Sequence, residues 1–306
     1  MAMEVAGALE YGETLSSPNN PITEPLSSHP SPELNPPSGP LDQPALAENP
    51  PWNGWEVLAL ALITLVTMVL CILVVGYALR PYLAPHAEWS SVITMPEVIV
   101  GGQLLAYVLL FFLMYALVRN HTDQSVFQAL RWNWPKNWNN YLLAGLILAI
   151  SLWPLEYLLP MPKKLPIDEF FKTAREAYFL SVLGIFFAPL FEELLFRGFL
   201  YPVIARRWGM GVSIVVTAIL FAFVHTMQLK YSWGPVLVIF IVGLVLTTVR
   251  AVKKSVAASM WMHMAYNGTL LSQLSLPLMA FATWRNSISS AARRFLRVCL
   301  CVIFAI

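Results

Sequence analysis

The sequence predicts an all-α protein: a polytopic transmembrane bundle of about seven to eight helices with a disordered N-terminal tail. Three observations carry this. Of 306 residues, 58% are hydrophobic and only 12% are charged, with a mean hydropathy of +0.63, the balance of an integral membrane protein. Apolar runs of about 18 residues or more, the length that crosses a bilayer as a helix, recur along the chain. The period-two alternation of a membrane β-barrel is absent.

In chain order, residues 1–51 hold 11 of the 23 prolines, seven acidic residues and no lysine or arginine. Such a segment buries too little apolar surface to offset its ordering entropy, so it is expected to be disordered. It reads as a solvated extension or a docking tail. The spans expected next are 55–79, 98–118, 141–160, 178–205, 211–229, 233–250 and 256–280. Residues 160–176 read as an amphipathic interfacial helix or an ordinary connection. Four regions follow: the acidic tail 1–51, N-terminal helices and interfacial segment 52–177, a core 178–280 and a basic extension 281–306. The extension ends in an apolar run too short to span. It carries no C-terminal prenylation signal, because Ile303 stands fourth from the end. Cys299 and Cys301 are candidates for palmitoylation.

Near-zero net charge gives no reason to expect a nucleic-acid partner. Cys71, Cys299 and Cys301 have no zinc-type spacing and form no disulfide framework. No cleavable signal peptide is expected at the first residues. Placing the N-terminus in the cytoplasm puts Arg119, Arg131, Lys136, Arg206, Arg207, Arg250, Lys253 and Lys254 in cytoplasmic loops. Arg80, Lys163, Lys164, Lys172, Arg175 and Lys230 then lie opposite, a bias in favour of that orientation. The sorting reading is an integral protein of the bacterial inner (plasma) membrane.

Charged residues inside apolar spans are costly, roughly 2.5–3.5 kcal/mol each at the bilayer centre on insertion scales. Three polar patterns nevertheless stand there in order: Glu192-Glu193-Leu-Leu-Phe-Arg197, Phe221-Ala-Phe-Val-His225 and His263-Met-Ala-Tyr-Asn267. Glu193 and Arg197 are four apart and can pair on one helix face. Glu192 points about 100° away. His263 and Asn267 share a face in the same way. Pro189 removes a backbone hydrogen bond and predicts a kink just before the glutamates.

Depth brings the three patterns together. Counting about 1.5 Å per residue from the basic loops, Glu192, His225 and Asn267 all lie roughly 20 Å deep and His263 roughly 14 Å. Two carboxylates, two imidazoles and an amide at one level form a hydrolytic set, with a carboxylate and histidine to activate water and an imidazole and amide to bind an oxyanion. Glu192, His225 and His263 can also be read as zinc ligands, although no His-Glu-x-x-His pattern is present. Taken singly, Glu193–Arg197 reads as a structural pair, and His263 with Asn267 as interhelical hydrogen-bond glue. Two other functions use the same residues: a transporter or proton relay, and a non-catalytic membrane scaffold. The matching half-sequences of an inverted-repeat transporter are absent.

These three motifs resemble those of the CPBP family of intramembrane proteases, also called the CAAX-protease and bacteriocin-processing, or Abi, family. The resemblance covers residues 178–280. It implies that Glu192 and His225 activate the attacking water and that His263 and Asn267 stabilise the oxyanion, with Glu193 and Arg197 supporting the site. It implies a membrane-anchored protein or peptide substrate, CaaX-prenylated or bacteriocin-like, and either a metalloprotease or a metal-independent glutamate mechanism. A cavity is expected to open toward the Arg206 and Lys253 side.

Overall fold

The computed structural model describes residues 48–160, 174–227, 229 and 231–280. The described residues are helical, without strands: α1 (Gly54–Leu83), α2 (Trp89–Val92), α3 (Pro96–His121), α4 (Val126–Ala129), α5 (Trp138–Leu158), α6 (Ala174–Val182), α7 (Ala188–Glu192), α8 (Tyr201–Val224), α9 (Trp233–Lys253) and α10 (Val256–Ala280). Two π-helical segments, Leu183–Phe187 and Glu193–Leu200, join α6, α7 and α8 into one rod. Residues 1–47, the expected interfacial stretch up to residue 173, and the C-terminal extension with Cys299 and Cys301 lie outside the described residues.

Among the described residues, five segments are long and apolar enough to cross a membrane: Gly54–Leu83, Pro96–His121, Trp138–Leu155, Tyr178–Val224 and Trp233–Lys253. The fourth, 47 residues long, contains two of the spans expected from sequence. The loop expected between them shrinks to one non-helical residue, Gly209, with φ 75° and ψ 174°. Glycine meets that conformation without a Cβ penalty. The seventh expected segment is helix α10.

Local signals set the helix ends. Asn53 caps α1: its Oδ1 accepts from the amides of Trp55 (2.9 Å) and Glu56 (3.1 Å), and Glu56 Oε2 accepts from the Asn53 amide (2.8 Å). This capping box satisfies amide donors that the first turn leaves open. Pro96 opens α3, where its missing N–H costs nothing. Between α9 and α10 the chain turns through Lys254 in the left-handed region, and the Ser255 hydroxyl accepts from the Ala258 amide at 3.2 Å.

The helices pack chiefly as three pairs, α1 on α3, α5 on α10 and α8 on α9, with α10 also against the site-bearing rod. With little hydrophobic drive between helices in lipid, close van der Waals approach matters more, and small residues permit it. At Gly102 a Cβ would come within 2.7 Å of Ile72 Cα; at Gly145 it would meet the Met262 carbonyl and sit 2.8 Å from Ala265 Cβ. Gly145 therefore sets the depth at which α10 lies in the bundle. Leu62, Val66, Leu70, Phe112 and Tyr115 are exposed on the outer faces of α1 and α3, as a lipid-facing surface requires. Cys71 is buried and unpaired between these two helices.

The basic loops gather at one end. Arg131 and Arg250 both reach Glu48 at 3.0 Å. Arg206 donates to the Pro50 carbonyl at 2.8 Å, and Asn133 Nδ2 to the Lys254 carbonyl at 3.0 Å. Residues 48–51, assigned from composition to the tail, are thus seated on the bundle. Arg250, assigned to a loop, is instead buried in the last turn of α9, where the Glu48 carboxylate compensates its charge.

Because the Gly145 position has no room for a methyl group, Gly145→Ala is expected to cost about 1–3 kcal/mol by overpacking. A melting temperature in detergent unchanged from wild type would contradict the close approach.

Candidate functional site

The rod that carries the glutamates is irregular where the chemistry sits. In the first π-helical segment the Ala188 amide bonds five residues back to the Leu183 carbonyl; after the second, the Tyr201 amide does the same to Phe196. Pro189, expected to kink the helix, stands in the first turn of the short α7 between them. A proline lacks the amide that would continue the regular ladder, and the π-helical stretches lie on both sides of it.

Glu192, Glu193, Arg197, His225, His263 and Asn267 are all fully buried. Four of them meet directly. Arg197 Nη1 lies 3.1 Å from Glu193 Oε1. Its Nε donates to Thr247 Oγ1 and its Nη2 to the Gly243 carbonyl, each at 3.3 Å. The Arg197 Cζ stands 4.4 Å from the centroid of the Phe221 ring, a cation–π contact. His263 Nδ1 is 3.0 Å from the same Glu193 oxygen. A carboxylate only accepts, so Nδ1 holds a proton and Nε2 faces the other way. Nε2 lies 3.5 Å from Glu192 Oε2, and neither Glu192 oxygen has a hydrogen-bond partner.

His225 joins the group through Phe221. Its Nδ1 is 2.6 Å from the Phe221 carbonyl; the carbonyl accepts, so Nδ1 donates and Nε2 is the basic nitrogen. Both imidazoles lie against the Phe221 ring, at centroid distances of 4.7 Å for His225 and 6.0 Å for His263. Asn267 Nδ2 donates to the Gly184 carbonyl at 2.9 Å, and its Oδ1 has no hydrogen-bond partner. The sequence groups Glu192 with His225; the structure brings the His263 imidazole to 3.5 Å from Glu192.

Charge counting restricts what this cluster can hold. Glu192, Glu193 and Arg197 sum to −1, and an uncompensated charge at this depth is expensive. One proton shared between Glu192 and His263 brings the cluster to neutrality. With that proton on His263, Glu192 is a base and His263 Nε2 is a donor, which is an acid–base pair inside a dry core. Among the described residues, no three His, Cys, Asp or Glu side chains are grouped to hold a metal ion. Glu192, His225 and His263 are thus not grouped as a ready ligand set.

Tyr107 of α3 escapes sequence reasoning. It is buried and stacks on Phe191, the residue before Glu192, with centroids 4.2 Å apart and planes 8° apart. A lone tyrosine in an apolar span carries no signal that would single it out. Two recesses open at the basic end. One of about 670 Å³ is lined by Asn53, Trp55, Val203, Arg206 and Arg207. The other, of about 580 Å³, is lined by Trp134, Lys136, Tyr141, Lys253 and Met262 among others, reaching the residue next to His263. They lie on the expected side, but Glu192 and His225 line neither.

Residues 174–269 match the family described as type II CAAX prenyl endopeptidase Rce1-like. The chain is also 28% identical over 101 residues to the UPF0177 protein YbdI of Lactococcus lactis subsp. lactis, an alignment covering 33% of this chain and 50% of that protein. The chain thus spans about half the length of the relative it matches. No solved structure matches significantly.

The two neighbouring glutamates are expected to differ in stability effect. Glu193→Gln strands the buried Arg197 without its counter-ion and should cost about 3–5 kcal/mol. Glu192→Gln removes a carboxylate with no hydrogen bond to lose and should be far milder. Unfolding of both variants in one detergent measures the difference; equal losses would contradict the pairing.

Proposed function

As a member of the CPBP family over residues 174–269, this integral membrane protein is one that we propose hydrolyses a peptide bond of a membrane-anchored protein or peptide, as an intramembrane endopeptidase. The observation that carries the reading is the Glu192 carboxylate: fully buried, without a hydrogen bond to either oxygen, 3.5 Å from an imidazole nitrogen. A carboxylate held in that state has a structural cost and no structural return, the mark of a functional group.

In this reading Glu192 takes a proton from the attacking water, with His225 Nε2 as the second base. The oxyanion formed at the scissile carbonyl is held by His263 Nε2–H and by the Asn267 amide, and the proton on Glu192 passes to the departing amine. Glu193 orients His263 through Nδ1, and Arg197 balances the charge. Catalysis of this kind depends on donors fixed before the reaction begins. The buried hydrogen bonds of Glu193, Arg197 and Asn267 support such fixation. The proposed substrate classes are CaaX-prenylated proteins and bacteriocin-like peptides. The proposed orientation puts the N-terminus and the basic end in the cytoplasm of a bacterial plasma membrane, in keeping with the gathering of Arg131, Arg206 and Arg250 there.

Cleavage of a membrane-anchored peptide library in detergent tests this. Glu192→Gln and His225→Ala are each expected to lower kcat/KM by about 10²-fold or more, the size of a lost acid–base group, with the helical content and insertion of wild type. Retained proteolysis in either variant would remove these residues from the reaction. Activity abolished by a chelator and restored by zinc would replace the metal-independent mechanism.

A further inference from the structure

The chemistry above resides in residues 174–269, yet the π-helical segment at its centre is held in part by residues before that stretch. Glu48 Oε1 accepts from Arg250 Nη1 and from Arg131 Nη1, each at 3.0 Å. The same Arg250 donates through Nε to the carbonyl of Arg197 at 3.2 Å, and its Cζ lies 5.3 Å from the centroid of the Tyr201 ring. Trp52, also buried, donates its indole N–H to the Phe199 carbonyl at 3.1 Å and packs on the Phe199 ring at 4.7 Å. Arg206 ties the Pro50 and Trp52 carbonyls to α8, at 2.8 and 3.3 Å. The segment 48–53 is therefore a strap across the bundle end, and two side-chain donors, one in it and one anchored by it, terminate on carbonyls of the segment Glu193–Leu200.

We propose that Glu48 and Arg250, with Trp52, are positioning residues of the active site: they fix the π-helical segment 193–200, and through it the Glu193–Arg197 pair that orients His263. The physical argument is one of unmet acceptors. A π-helical segment displaces carbonyls from the regular ladder, and a buried carbonyl without a donor is costly. Arg250 and Trp52 supply donors where the widened helix offers acceptors. Arg250 can do so within the bundle only because Glu48 compensates its charge. Without Glu48, Arg250 is a buried cation drawn toward water, and it leaves the Arg197 carbonyl. The segment then relaxes toward a regular helix, which turns Glu193 relative to His263. None of these three side chains touches the reacting atoms, so loss of one changes geometry and not the chemical groups.

This inference rests on the proposed peptidase reading for its kinetic arm but not for its structural one. Hydrogen–deuterium exchange is followed for peptides covering 193–205 in the full-length protein in detergent. Wild type is compared with Glu48→Gln, Trp52→Phe and the control Glu56→Gln, which removes the charge of the exposed Glu56–His121 pair at 2.6 Å and keeps a side-chain oxygen to accept from the Asn53 amide of the strap. Glu48→Gln is expected to speed exchange there about tenfold, the effect of losing one buried charge-assisted contact. Trp52→Phe, which keeps the aromatic packing and removes one N–H, should give a smaller change in the same direction and keeps the test alive if Glu48→Gln does not fold. Glu56→Gln should give no change. With a cleaved peptide in hand, Glu48→Gln should lower kcat about tenfold while KM stays within about twofold, and Glu48→Asp should restore part of kcat. Unchanged exchange over 193–205 in both strap variants overturns the proposal whatever the activity. Faster exchange in a protein that cleaves nothing leaves the strap standing and refutes the peptidase.

Discussion

The structure turns on one fully buried ion pair, Glu193 with Arg197. Neither residue belongs in an apolar core alone, and each is tolerable there because the other is 3.1 Å away. The surroundings add to the compensation: Thr247 Oγ1 accepts from Nε, the Gly243 carbonyl accepts from Nη2, and Phe221 offers its ring face. Removing two charges from water costs several kcal/mol per ion, which close geometry and further hydrogen bonds offset in part. The pair is therefore poor as a stabilising device and good as a locator. Once it is set, His263 has one oxygen to bond, α10 must lie at one depth, and Gly145 must be a glycine to let α5 follow.

The π-helical segments are the second half of that device. Three side-chain donors from other elements end on the backbone of the site-bearing rod: Asn267 on Gly184, Arg250 on Arg197 and Trp52 on Phe199. All three acceptors lie in the two π-helical stretches, where the ladder is shifted and carbonyls are available. A regular helix would present no such sockets. Irregularity that would weaken an isolated helix here becomes the means by which α10, α9 and the strap are registered against it, as buried non-helical backbone requires in a membrane.

Much of this was legible in the residues, for reasons that can be named. The spans showed because apolar length is a property of contiguous sequence. Glu193 with Arg197 showed because four residues bring two side chains to one face. Rise per residue brought the three motif helices to neighbouring levels, yet it is His263, counted as the shallower, that meets Glu192, while Asn267 reaches Gly184. Other features had no local signature. That His263 comes to 3.5 Å from Glu192 depends on helix rotation, which spacing does not carry. Arg250 looked like a loop residue because its counter-ion, Glu48, lies 202 positions away. Glu48 itself was lost in a proline-rich acidic segment that composition treats as one piece, although residues 48–51 are seated on the bundle. The π-helical widening depends on whether distant donors exist to take the displaced carbonyls, and no window of the sequence contains both.

The same physics limits how such a site can work. A cluster that must be neutral when dry cannot gain a charge during turnover without cost, so each proton has to be exchanged within it or with the substrate. Glu192 and His263, 3.5 Å apart, are suited to that exchange, because moving one proton between them leaves the total charge unchanged. In the proposed hydrolysis, the attacking water would deliver its proton to Glu192 as negative charge develops on the oxyanion beside His263, and departure of the amine would carry the proton away. Every intermediate then has the charge of the resting site. In a medium where an ion is worth several kcal/mol, conserving charge along the path is a constraint as strong as any single hydrogen bond. It gives a physical reason for the pairing of one unpartnered carboxylate with one oriented imidazole at the centre of this bundle.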